Sequence, residues 1–365
     1  MLSFFARLPV CLVGMEACWG VHYWAREIQK LGHTVRLMAP QYVKAYVKTN
    51  KNAAADAEAI AEAVTRPSMR FVPVKTQDQQ AMLALHRVRQ GLIKARTAQA
   101  NQIRSFLAEY GIVIPAGLWR LRRALPMALS EDERVDGLMR QLLVDLAARL
   151  RSLDDEVARL DRHIAEFNRC NQDCRRLETI PGIGPVTASA LVAAVGNATA
   201  FRNGRELAAW LGLVPRQSSS GGKDRLLGIS KRGDSYLRTL LIHGARSMLM
   251  PATARHPEPD GWLARLLARK HRNVAVVAIA NKNARRAWRV TCTRRGVSCH
   301  GPNHYLIASY RNHARYTTTT GGPSSRLHRQ FEVMATQVSP DRQTLPIPLD
   351  LASVVDDEES ISGFP

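Results

Sequence analysis

The chain has 365 residues, 45% of them hydrophobic, which is enough for two or three domains with cores of their own and excludes a low-complexity tail. Its 52 Lys and Arg against 31 Asp and Glu give a formal net charge of +21 and point to a polyanionic partner, nucleic acid foremost, because each phosphate met by a cation releases counterions. No stretch approaches the roughly 20 uninterrupted apolar residues of a membrane helix, and the opening Met1-Leu2-Ser3-Phe4-Phe5-Ala6-Arg7 has no basic segment ahead of its apolar run, so a cytoplasmic protein without a membrane span is expected.

Residues 10–15 read as a buried strand, 23–31 as a helix ended by Gly32, and 34–38 as a second strand before Pro40, which together make a βαβ unit. An Ala/Glu-rich helix over 53–64 and a short strand over 70–74 complete a parallel α/β domain at 1–76. From 78 to 108 and from 132 to 177 apolar residues recur at three and four spacing, as in Leu138, Leu142, Leu146, Leu150, Leu153, Val157, Leu160 and Ile164. This predicts a long helical hairpin or coiled-coil arm at 77–176, its two arms broken at Pro115, Gly117 and Pro126, and coiled-coil arms favour a homodimer.

The stretch 177–191, with Ile180-Pro181-Gly182-Ile183-Gly184-Pro185 at its centre, has the pattern of a helix-hairpin-helix. Gly182 and Gly184 would let the backbone turn tightly, and with Thr187 at the start of the next helix would set amides against a phosphate; the alternative is a plain turn between helices. A short helix and an apolar turn over 201–215 then lead to Arg216-Gln217-Ser218-Ser219-Ser220-Gly221-Gly222-Lys223. By composition this is a flexible linker; by context it places candidate nucleophilic hydroxyls among Lys223, Arg225, Lys231, Arg232 and Arg238, which are candidate phosphate ligands. No base stands nearby in sequence. His243, with Arg246 on the helix that follows, is either that base from farther along or a packed structural residue.

The six cysteines, Cys11, Cys18, Cys170, Cys174, Cys292 and Cys299, have no Cys-x-x-Cys spacing and read as reduced structural thiols. Residues 177–290 form a mainly helical domain, and 291–365 a basic then acidic variable tail without fixed structure. Its marks are Thr317-Thr318-Thr319-Thr320-Gly321-Gly322-Pro323-Ser324-Ser325 and Asp356-Asp357-Glu358-Glu359. Residues 255–329 carry fifteen Lys and Arg against Glu258 and Asp260, adding to the attraction for a phosphate backbone.

Several segments in order carry a resemblance that covers residues 2 to about 289. They are Leu12-Val13-Gly14-Met15-Glu16-Ala17-Cys18, His22-Tyr23-Trp24-Ala25-Arg26, Pro40-Gln41-Tyr42-Val43-Lys44, Ala55-Asp56-Ala57-Glu58-Ala59-Ile60, the Pro-Gly-Ile-Gly-Pro turn, and Leu227-Gly228-Ile229-Ser230-Lys231-Arg232-Gly233-Asp234. On these the chain resembles the transposases of insertion-sequence family one-ten, in its eleven-eleven branch, and the related Piv-type DNA invertases. The resemblance implies a RuvC-like, ribonuclease H-like domain in which four acidic residues bind Mg²⁺, a coiled coil, and a transposase domain with a catalytic serine. It further implies a bridge RNA that pairs with donor and target DNA, delegating sequence reading to base pairing, and assembly above a dimer on DNA.

Carried over residue by residue, the resemblance makes Glu16 the second acidic position, at a strand end, and Asp56 the fourth. The third falls on Ala53, and the first belongs to a Gly-Ile-Asp strand expected ahead of Met1. Ser220, directly before Gly221-Gly222, fits the family's Ser-Gly nucleophile best, Ser219 is the close alternative, and Ser218 stands where relatives often carry histidine. Without the resemblance Glu16 is an ordinary strand-end acid and Asp56 an ordinary helix N-cap. With two carboxylates of four, the expectation is a truncated or decayed copy with weak or no recombinase activity, its strand at 10–15 left as an apolar edge; the alternative to a recombinase is a relic that only binds DNA or RNA.

Overall fold

The computed structural model describes residues 1–48, 52–130, 134–135, 137–255, 261–292 and 334–336, the side chains of 250–255 and 334–336 excepted. Cys299, Glu258, Asp260, Asp132, the threonine run and the acidic run at 356–359 lie outside the described residues. The fold is mostly helical with two small sheets, and the chain divides into two compact units, one holding Met1–Thr76 and the strand Met334–Thr336, the other beginning at Gln77.

The first unit contains helix α1 (Leu2–Phe5), strand β1 (Leu12–Glu16), α2 (Val21–Lys30), β2 (Thr34–Met38), α3 (Pro40–Val43), α4 (Ala53–Thr65) and β3 (Phe71–Val72). β1 and β2 pair in parallel from Leu12↔Thr34 to Glu16↔Met38 across α2, which is the predicted βαβ unit. Val21, Ala25 and Ile28 bury the apolar stripe of α2, and Gly32, at φ +93, turns the chain back. His33 is buried against this core, accepting from the Cys11 amide at 3.2 Å through Nδ1 and reaching the Phe5 carbonyl at 3.0 Å through Nε2.

Two expectations for this sheet are corrected. β3 pairs antiparallel to β2 through Leu37↔Val72 and Met38↔Phe71, so the sheet is mixed; periodicity carries no strand direction, and Pro73, lacking an N–H, stops the ladder after two residues. β1 is not an open edge, because Met334–Thr336 pairs with it antiparallel and the order is β3-β2-β1 followed by that strand. Those three residues form a strand where unstructured tail was expected.

The second unit opens with α5 (Gln77–Glu109), α6 (Leu118–Ser130) and α7 (Gly137–Cys170). α5 and α7 form an antiparallel hairpin, as the ion pairs Arg89–Asp161 (2.5 Å) and Arg96–Asp154 (3.2 Å) show: seven residues forward on one helix match seven back on the other. Pro126 lies inside α6 and not in a break, with its ring on the exposed face where the lost backbone bond faces water. The buried seam of α7 runs through Leu143, Ala147, Leu150, Val157, Leu160 and Ile164, while Leu138 and Leu142 are exposed, because α6 covers the first part of α7 from a different side.

After Asn171, whose side chain caps the next helix through the Cys174 amide (3.0 Å), come α8 (Gln172–Glu178), α9 (Pro185–Val195), α10 (Gly204–Trp210), the hairpin strands β4 (Pro215–Gln217) and β5 (Leu226–Ile229), α11 (Ser235–Arg255), α12 (Trp262–Arg269) and α13 (Arg272–Cys292). Their core joins Leu177, Ile183, Leu191, Leu207, Leu241 and Ile279. Burial raises the Cys174 thiol to about 12, which keeps it protonated and inert at neutral pH. No helix among the described residues is long and apolar enough to cross a membrane.

Candidate functional site

The serine segment is a tight hairpin. Gln217 pairs with Leu226, the Ser218 amide donates to the Arg225 carbonyl at 2.9 Å, and Ser220 bridges to Lys223. Gly221 and Gly222, at φ +55 and +74, are the two central residues of the turn, and positive φ at both is what a two-residue type I′ connection demands. The register therefore sets Ser219 opposite Asp224.

That pairing makes a clasp. The Ser219 hydroxyl donates to Asp224 Oδ1 at 3.1 Å and accepts from Gln217 Nε2 at 2.9 Å and from the Arg225 amide at 3.2 Å, and Gln217 Nε2 also reaches Asp224 Oδ1 at 3.2 Å. Ser220 stands one residue nearer the tip, exposed, and its hydroxyl makes no hydrogen bond among the described residues. The two candidate hydroxyls are thus employed differently: Ser219 is held by a carboxylate and an amide, and Ser220 is presented to solvent. Asp224 and Gln217 were missed in the sequence. Reading Gly-Gly as an I′ turn would have found them, since it fixes the cross-strand partner of every serine.

Arg216, Lys223, Arg225, Lys231 and Arg232 are exposed on or beside the hairpin. Arg238 is tied to the base of the hairpin, since its Nη1 donates to the carbonyls of Leu211 (3.2 Å) and Arg232 (2.8 Å). There the turns at 210–212 and 231–233 meet backbone to backbone: a Cβ on Gly212 would lie 2.2 Å from the Arg232 carbonyl oxygen, and one on Gly233 2.0 Å from that of Trp210. Lys231 itself is held in the left-handed region at φ +55, a strained conformation for a non-glycine residue. His243 and Arg246 are exposed on α11.

The Pro-Gly-Ile-Gly-Pro turn faces inward more than expected. Gly182, at φ +86, packs against α11, where a Cβ would lie 2.7 Å from the Gly244 carbonyl oxygen, and Asn283 Nδ2 donates to the Pro181 carbonyl at 2.8 Å. Thr187 is 6% exposed, because the helical period turns it into the core. Of the three residues expected at a phosphate, only Gly184 is open; it begins α9 without a side-chain cap.

Behind this turn His86 of α5 is buried at 1% exposure between α9 and α11, with Nε2 at 3.0 Å from Ser189 Oγ and Nδ1 at 3.0 Å from the Tyr236 hydroxyl. Ser189 donates to the Pro185 carbonyl at 2.8 Å, so its oxygen accepts from Nε2–H and Nδ1 accepts from tyrosine. The imidazole is lowered to about 4, by burial first and by nearby Arg89 second, with Asp161 opposing them. The unfolded chain binds a proton below 6.5 that the folded chain refuses until about 4, so this group's stabilisation is complete above pH 6.5 and is lost as pH falls toward 4. The expected loss is about 3 kcal/mol. Half-buried His22, likewise lowered to about 4 by desolvation, Lys75 and Arg26, adds in the same direction. Thermal unfolding against pH, with His86→Gln flattening the curve between pH 6.5 and 4, checks this.

In the first unit, strand alternation places Leu12, Gly14 and Glu16 on one face of β1, and α4 packs there, with Val64 and Ile60 within 3.2 Å of a Cβ built on Gly14. Asp56 lies one turn ahead of Ile60 on α4, so Glu16 and Asp56, both half-buried, belong to the same helix–sheet layer. Asp56 is not the N-cap; Asn52 is, accepting from the Ala55 amide at 2.7 Å. Ala53, three residues before Asp56, is exposed and offers no ligand oxygen, and no group of three or more metal-binding side chains occurs among the described residues. A divalent ion on this face would have to take its remaining oxygens from waters and substrate phosphates.

Comparison with known proteins matches two segments to families. Residues 174–258, which contain the hairpin and the Pro-Gly turn, match the model described as the transposase IS116/IS110/IS902 family, and residues 5–112 match the DEDD transposase model of IS110. A probable family 20 transposase of Pseudomonas aeruginosa is 51% identical over 304 residues, covering 80% of this chain and 89% of the relative. The transposase for insertion sequence element IS1111A of Coxiella burnetii is 43% identical over 82% of each chain, and the pilin gene-inverting protein of Moraxella bovis is 30% identical over 36% of this chain and 42% of its own. Transposases act on DNA, and DEDD transposases usually use divalent metal ions. With 51% identity over four-fifths of its length to a relative of which it covers 89%, and with two family models matched in order, the chain belongs to the IS116/IS110/IS902 family of insertion-sequence transposases.

Proposed function

We propose that the protein is a recombinase that cleaves and rejoins DNA at insertion-sequence ends through Ser220. The observation that carries this reading is the type I′ hairpin, which leaves the Ser220 hydroxyl free at a basic tip while Ser219, Gln217 and Asp224 brace the strands behind it. Ser220 Oγ attacks the phosphorus and loses its proton, the bond to the leaving strand oxygen breaks, and that oxygen takes up a proton. The hydroxyl of a second strand end then attacks the serine phosphodiester and gives up its proton, the bond from phosphorus to Ser220 Oγ breaks, and Oγ takes up a proton, which completes the exchange and frees the serine. Lys223, Arg225, Lys231 and Arg232 neutralise the phosphate, and the backbone at Gly184 adds a contact that reads no base.

Glu16 and Asp56 hold a Mg²⁺ ion in a RuvC-like first unit. When bound, Mg²⁺ stabilises negative charge on phosphate oxygens. The organisation proposed is a RuvC-like domain over 1–76, a coiled-coil arm over 77–176, a transposase domain with a helix-hairpin-helix over 177–290 and a variable tail over 291–365, in a cytoplasmic homodimer guided by a bridge RNA. A second reading, a protein that binds DNA or RNA without cutting it, is favoured by Ala53, which leaves the carboxylate face of α4 one oxygen ligand short.

The test incubates the purified full chain with the element's RNA, donor and target duplexes and Mg²⁺. A covalent protein–DNA adduct and a strand-exchanged product are expected. Removing Mg²⁺ with a chelator should eliminate both, and Glu16→Gln should lower them on the order of 10²-fold. Salt-sensitive binding with neither adduct nor product would leave the second reading.

A further inference from the structure

One long stripe of α5 plays no part in the reading above. Between Asp78 and Glu109 this helix carries five cations, Arg87, Arg89, Lys94, Arg96 and Arg104, and no carboxylate. On the flank that meets α7 the cations are neutralised: Arg89 by Asp161, and Arg96 by Asp154, which also holds Arg122. Arg87 and Lys94 lie on the opposite flank, exposed, with no carboxylate in ion-pair reach among the described residues. They share one open face of the helix with Gln90, Gly91, Thr97 and Asn101, at three and four spacing.

Gly91 is the telling residue. A glycine inside a helix costs about 1 kcal/mol against alanine, and close packing of a neighbour usually accounts for it. Here a Cβ on Gly91 would meet nothing within 4 Å, so nothing among the described residues uses the space. The bare backbone there leaves room for a partner that approaches the helix from outside.

We propose that this stripe seats the sugar-phosphate backbone of duplex DNA, a contact apart from the serine hairpin. The stripe from Arg87 to Asn101 spans roughly 21 Å at 1.5 Å per residue, the length of about six base pairs. Its side chains are cations and neutral hydrogen-bonding groups, the set that meets phosphate oxygens and reads no sequence. A second copy of the chain fits less well, because a symmetric pairing would bring Arg87 and Lys94 against one another with no carboxylate on the stripe.

The experiment measures binding of the full chain to a random-sequence duplex DNA by fluorescence anisotropy across salt concentration. For Arg87→Gln/Lys94→Gln the slope of log Kobs against log salt should become shallower by about 1.8, two phosphate contacts at about 0.9 each. The control Arg149→Gln/Arg151→Gln removes the same charge from two exposed positions of α7 and should leave the slope within about 0.5. Gly91→Gln should hold or raise the melting temperature while weakening DNA binding, which a purely structural role for this position would not produce. An unchanged slope in the double variant overturns the proposal. A slope change seen with duplex RNA only assigns the stripe to RNA and also overturns it, as does a loss of dimer in sedimentation with the DNA slope intact. None of these readouts needs cleavage, so they stand whether or not the proposed chemistry holds.

Discussion

Ser220→Ala is expected to reduce covalent adduct and strand exchange by a factor on the order of 10³ or more, because no other hydroxyl at the hairpin tip replaces it. Ser219→Ala and Asp224→Ala act differently. Ser219 is engaged by Asp224, Gln217 and the Arg225 amide, so removing it or its carboxylate partner loosens the frame that aims Ser220. A displacement of about 1 Å at a reacting atom lowers rates on the order of 10²-fold, and each variant should fall by that order in single-turnover rate with little change in affinity for DNA. The double variant Ser219→Ala/Asp224→Ala should be no worse than either single one, since both changes break the same clasp. These residues are exposed, so the melting temperature should stay put. If instead Ser219→Ala abolishes the adduct and Ser220→Ala preserves it, Ser219 is the nucleophile and Asp224 its base.

Gly244→Ala is expected to be severely destabilising for the addition of a single methyl group. A Cβ there would lie 1.8 Å from the Gly182 carbonyl oxygen and 2.9 Å from its carbon, contacts that real Cβ atoms do not make. Relief requires parting α11 from the Pro-Gly turn, and with it the Asn283–Pro181 bond and the packing around Leu241 and Ile183. The loss should exceed about 4 kcal/mol, with a drop in melting temperature of roughly 10 °C or more. Gly184→Ala is the matched control: it meets open space at an ordinary φ of −97, so its effect should stay within about 1 kcal/mol. A mild Gly244→Ala would mean that the turn does not pack on the helix as described.

The sequence by itself determined the elements and the family. Period-2 and period-3.6 patterns mark β1, α2 and β2 closely, the long spacing of Leu150, Val157 and Ile164 marks the α7 seam, and the ordered motifs identify the transposase family. These signals are local, since each depends on which residues recur along one element. Tertiary structure decided what those residues face. Strand direction for β3, the covering of β1 by a strand some three hundred residues away, the shift of the α7 seam under α6, and the inward turn of Gly182 and Thr187 all depend on which element arrives from elsewhere. The same holds for the basic residues: Arg238, read as a phosphate ligand, is drawn onto two carbonyls by a backbone contact between distant turns, while Arg87 and Lys94 stay free because the α7 carboxylates reach only the other flank of α5. Asp224 lies between these cases. Its partner follows from turn geometry, because two adjacent residues with positive φ fix the register on both sides, whereas the use of an arginine follows from packing, which no local period encodes.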